Sequence, residues 1–84
     1  AKRVVTASFY LQGKIKSIEI GFKPRGVLCL LNDYYWAIAG LFQDELQSAS
    51  RDNFFKMFRI DATGFTIEVA SSGTYQGKYW AFEY

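Results

Sequence analysis

The two-residue alternation of large apolar and polar side chains constrains this chain more than any other feature, and it is clearest near the end. Phe65, Ile67 and Val69 alternate with Thr66 and Glu68, the pattern of a strand with one buried face. Asp61-Ala62-Thr63-Gly64 ahead of it is turn chemistry. A second strand is expected over 79–84, where Trp80, Phe82 and Tyr84 alternate with Tyr79, Ala81 and Glu83. Bulk on both faces predicts a covered strand. The larger combined area assigns Trp80, Phe82 and Tyr84 to the core and leaves Tyr79 for a neighbouring subunit. The polar run Ser71 to Lys78 between the two reads as a flexible loop.

The same period governs the earlier chain. Val5, Ala7, Phe9 and Leu11 alternate with Val4, Thr6, Ser8 and Tyr10, and after Gln12-Gly13-Lys14 the alternation resumes at Ile18, Ile20 and Phe22. This predicts a hairpin with Lys14 and Lys16 on its exposed side. Pro24-Arg25-Gly26 breaks the pattern, because Pro cannot donate to a ladder. Val27 to Leu31 is apolar without alternation, as in a central strand covered on both faces. Asn32-Asp33 marks a turn and 34–40 a strand paired back. Ile38, Leu41, Phe42 and Leu46 also recur at helical spacing, which places a short helical turn within 40–50. A surface loop over 47–53 and a strand over 54–60 complete the chain. The expectation is an all-β fold: one antiparallel β-sandwich or flattened barrel of about seven strands, in a single domain spanning 1–84.

Gly21-Phe22-Lys23-Pro24 before the apolar strand 27–31, Asp61-Ala62-Thr63-Gly64-Phe65 late in the chain, and Tyr79-Trp80-Ala81-Phe82 at its end follow one another in a telling order. The order resembles a small all-β domain of phage and prophage virion proteins, found in tail and tail-fibre polypeptides, with G-F-x-P, D-T-G-F and Y-Y-x-A-F motifs. Here Ala62-Thr63 replaces a single Thr, and Trp80 stands in a usual Tyr position. The resemblance implies a non-enzymatic structural component of a virion (tail, fibre or capsid-decorating), assembled in the host cytoplasm beside other virion proteins.

Composition narrows the chemistry. The 84 residues contain no His and one Cys, so neither an internal disulfide nor a His-based catalytic site can form, and Cys29 within its apolar run reads as a buried small hydrophobe. No glycine-rich phosphate loop, calcium loop or other metal or cofactor motif is present, and no catalytic residue is assigned. The net charge of +2 mixes both signs without a basic stripe, so no nucleic-acid partner is expected. No apolar run is long enough for a membrane span, and the start lacks an export pattern. The missing initiator Met is read either as trimming ahead of the small Ala1 or as a fragment of a longer chain.

What stands out is aromatic content: 19% of the residues are Phe, Trp or Tyr, more apolar surface than so small a domain readily hides. Two binding readings follow. Tyr34, Tyr35, Trp36, Tyr79, Trp80 and Tyr84 are candidates for protein interfaces, with a homo-oligomer among the assemblies expected. Alternatively the module binds carbohydrate for receptor recognition, with Tyr35 or Trp36 stacking on a host-surface glycan and Asn32, Asp33 or Gln76 hydrogen-bonding it.

Overall fold

A computed structural model describes residues 3–50 and 53–83. Its organising element is the longest strand. The apolar residues of the last third do not stop at a loop, because Tyr75, Gly77, Tyr79 and Ala81 carry the inward parity on from Phe65, Ile67 and Val69. Six strands result: β1 (Val4–Glu19), β2 (Gly26–Leu31), β3 (Tyr35–Gly40), β4 (Gln43–Ala49), β5 (Phe55–Ile60) and β6 (Gly64–Phe82). All pairings are antiparallel, in the order β1-β6-β2-β3-β4-β5, and β5 returns to β6. The first half of β6 pairs with β5 and its second half with β2, from Gly26↔Phe82 to Leu31↔Gly77. Five strands therefore close a barrel, and β1 lies outside it along the other edge of β6.

Several expectations change accordingly. The count is six strands rather than about seven, and the layout is a closed barrel with one added strand. The hairpin expected at Gln12-Gly13-Lys14 is absent, since β1 runs straight through it. Val4 to Gly13 pair with Phe82 to Gly73, and Ile15 to Glu19 pair with Glu68 to Gly64. Gly13, at φ 95°, absorbs the offset where four residues of β6, Val69 to Ser72, face Lys14 alone. There the supposed flexible loop bends without leaving the sheet, and the Tyr75 hydroxyl donates to the Ser71 carbonyl at 2.7 Å. The helical turn within 40–50 is likewise overturned, because the segment is β4. So short a helix is marginal alone, whereas a strand here supplies ladder partners to β3 and β5. The β4 seam is irregular, with register shifts against β3 and the pair Glu45↔Arg59 against β5. The described residues contain no helix long and apolar enough to cross a membrane.

The barrel interior is narrow, and its side chains are graded to fit. Ala37, Ala39 and Ala81 are fully buried beside the large rings of Phe58, Phe65 and Tyr79. Phe65 meets Phe58 at 5.6 Å and Tyr79 edge-on at 5.2 Å between ring centroids. Where two strands come too close for any Cβ, glycine stands opposite an aromatic ring. A Cβ on Gly26 would lie 2.6 Å from the Phe82 ring, and one on Gly77 would lie 2.4 Å from that of Phe9. Both are direct cross-strand partners.

The turn motif before β6 fastens β1 to the barrel. The Asp61 amide donates to the Gly64 carbonyl at 2.8 Å, and the buried Thr66 hydroxyl donates to Asp61 Oδ2 at 2.8 Å. Thr66 thereby accepts from the Ser17 hydroxyl at 2.9 Å. Thr63 donates to the Glu19 carboxylate, and its carbonyl accepts from the Ile20 and Gly21 amides. At the opposite end of β1, Arg3 grips the Glu83 carboxylate through two nitrogens and lies 4.2 Å over the ring of buried Phe22. That hydrogen bond holds the half-buried Glu83 carboxyl below its usual range.

Cys29 fills the inward side of β2 opposite Ala37 and Tyr79. It is fully buried, and burial pushes its thiol up to about 12. The folded protein should therefore react with a thiol reagent only at the rate of unfolding, and denaturant should release the full thiol reactivity. Equal rates in the two states would contradict the central placement of β2.

Candidate interaction face

Alternation that points Val27, Cys29 and Leu31 into the barrel points Leu28 and Leu30 out, and on β3 it turns Trp36 and Ile38 out past buried Ala37 and Ala39. On β6 the outward positions are Gln76, Lys78, Trp80 and Phe82. Register then assembles rows across the outer surface. Trp80 lies beside Leu28 and Leu28 beside Ile38, while the next row runs Lys78, Leu30, Trp36. Adjacent members sit about 4.8 Å apart in the ladder direction. The face thus carries both tryptophans of the chain over half-buried aliphatic side chains. Trp36 is 37% exposed and Trp80 36%. Lys78, paired with Asp33 at 3.7 Å, is the charge that borders it. Solvated outer barrel faces ordinarily alternate to polar residues. This one does not, and aromatic anchors in a charge-poor patch are what interfaces use.

Trp36 and Trp80 thus lie on one face. Tyr79 does not join them: it is 6% exposed and belongs to the core, the reverse of the assignment that put Trp80 inside and Tyr79 at an interface. Phe82 is half-buried over Gly26, on the outer side as well. Tyr84 lies outside the described residues. Tyr34 and Tyr35 form a separate aromatic cluster at the barrel end. Tyr35 stacks on Phe54 at 3.9 Å, Phe54 meets Tyr75 edge-on, and Tyr34 is exposed with its ring edge-on to Tyr35. Sequence reasoning missed Leu28 and Leu30, whose run 27–31 reads as covered on both faces, and Ile38, whose spacing to Leu41, Phe42 and Leu46 reads as helical.

The polar residues considered for a glycan do converge. Asn32 and Gln76 exchange contacts, the Asn32 amide donating to the Gln76 carbonyl at 2.7 Å and the Gln76 amide to Asn32 Oδ1 at 2.9 Å. Beside them is a shallow cleft of about 200 Å³ lined by Ser8, Phe9, Tyr10, Asp33, Gln76, Gly77 and Lys78. Its exposed ring is Tyr10 rather than Tyr35 or Trp36. The chain matches no family model, no curated protein and no solved structure.

Because the two neighbours Tyr79 and Trp80 face opposite sides, their truncations should separate. Tyr79→Ala should cost about 3–5 kcal/mol, most of a small domain's stability. Trp80→Ala should cost about 1–2 kcal/mol, since it retains solvent contact on one side. Chemical denaturation of the two variants measures this, and a larger loss for Trp80→Ala would reverse the inside-outside assignment of β6.

Proposed function

We propose that this chain is a non-enzymatic structural module of a phage virion, acting through protein-protein assembly. The observation that carries the assembly reading is the outer barrel face, where Trp36 and Trp80 flank Leu28, Leu30 and Ile38. Interfaces concentrate binding energy on such aromatic anchors. The virion setting is supported by the sequence resemblance, whose motifs have structural work in this fold: Phe22 packs under Arg3, and the Asp61 to Gly64 turn fastens β1.

Trp36 and Trp80 are the two tryptophans of the chain, so their fluorescence reports on the face directly. In the free protein acrylamide should quench both. On incorporation into particles the emission should shift to the blue and quenching should fall, and Trp36→Ala with Trp80→Ala should abolish incorporation while the barrel still melts cooperatively. Tryptophans that stay fully quenchable in sedimented particles would rule this face out as the contact.

A second reading, carbohydrate binding for receptor recognition, is favoured by the cleft beside Tyr10, where Asp33 and Lys78 offer an acceptor and a donor next to an exposed ring. On this reading Tyr10→Ala abolishes retention on a glycan array with the fold intact. Array binding that is absent, or unchanged by that substitution, removes it.

A further inference from the structure

Among the described residues every barrel strand is paired on both sides, and β1 is paired only with β6. One sheet edge is therefore open, along a strand of 16 residues. Its two halves differ. The later half is guarded in the usual ways, by the register shift after Gly13 and by Lys14, Lys16 and Glu19. The earlier half, Val4 to Tyr10, has unbroken register and contains no charge, Pro or Gly. Its sequence is rich in β-branched and aromatic residues. Val4 is 70% exposed and Tyr10 59%. The Glu83 amide donates to the Arg3 carbonyl, which places Arg3 in a hydrogen-bonded pair with β6. By alternation the backbone N–H and C=O groups of Val4, Thr6, Ser8 and Tyr10 point away from β6, towards the open edge.

We infer that this edge pairs with the same edge of a second copy, antiparallel about a two-fold axis at Ala7. The segment is complementary to itself in that register. Val4 faces Tyr10 twice, a β-branched residue against a ring, and Thr6 faces Ser8 twice, hydroxyl to hydroxyl. Ala7 faces Ala7 at the axis. No like charges oppose, and each pairing keeps its residues on one side of the sheet. Edge-facing backbone groups of the four even-numbered residues are all satisfied. Since the described residues offer one open edge, pairing closes after two copies and does not propagate into a fibre. The axis stands normal to the sheet, so the Trp80 faces of both copies lie on the same side. The dimer stands on the edge geometry and not on that face, so either can fail without the other.

Sedimentation velocity over a concentration series tests it. The unaltered chain should sediment as a dimer that dissociates on dilution. Thr6→Lys with Ser8→Lys sets like charges opposite each other twice and should weaken association at least about 100-fold. Thr6→Lys with Ser8→Glu sets opposite charges in the same places and should restore it. Ala7→Cys should give a disulfide-linked dimer on mild oxidation, since the facing Cα atoms would be about 4.5 Å apart, whereas Tyr10→Cys should not. Protection of the Cys29 thiol verifies that the Lys and Glu variants remain folded. A chain that stays monomeric at high concentration, or a dimer indifferent to the paired charges, overturns the inference.

Discussion

The fold depends on one strand serving three partners. β6 gives its first half to β5, its second half to β2 and most of its opposite edge to β1. Barrel closure, burial of the core and attachment of the N-terminal strand therefore all require β6 to bend between two runs of ladder pairs and resume pairing beyond the bend. The bend falls where polar Ser71-Ser72-Gly73 faces Lys14 and φ-positive Gly13, so the strain of turning the corner rests on residues with little side chain to lose.

That arrangement settles which large side chains stay on the outer surface. A barrel of five strands has little interior. Alanine lines it at positions 37, 39 and 81, and Val27, Leu31, Phe55, Phe58, Ile60, Phe65, Ile67, Val69 and Tyr79 are among the larger side chains it buries. Alternation leaves other large side chains outside. Leu28, Leu30, Trp36, Ile38 and Trp80 are pushed onto one outer face because β2, β3 and the end of β6 are neighbours. An aromatic-rich sequence on so small a barrel thus yields an apolar exterior by geometry.

Much of this was legible in the chain. Alternation at Phe65, Ile67 and Val69, the apolar run around Cys29 and the Asn32-Asp33 turn all locate strands or turns that the fold contains. Other parts were not legible, for identifiable reasons. Gly77 occupies an inward position and so interrupts the visible period of β6; its missing side chain is replaced by the Phe9 ring from β1, a partner no local window reveals. Side-chain area alone then assigns the inward parity to Trp80, whereas the register that sets Tyr79 opposite buried Cys29 turns Trp80 outward. Likewise Gln12-Gly13-Lys14 has the composition of a turn, and only the long template of β6 keeps it extended. For the candidate face, the apolar character of 27–31 was plain, but whether its second side is covered by the same chain is a question of topology.

Native-state hydrogen exchange of β6 tests the central claim most directly. If β6 is one continuous strand, the amides of Tyr75 and Gln76, inside the stretch whose composition suggests a loop, should be protected together with those of Ile67 and Tyr79 and open in the same cooperative event. Exchange of Tyr75 and Gln76 at rates typical of an exposed loop, with Ile67 and Tyr79 still protected, would mean two separate strands and would contradict the account of how the barrel closes.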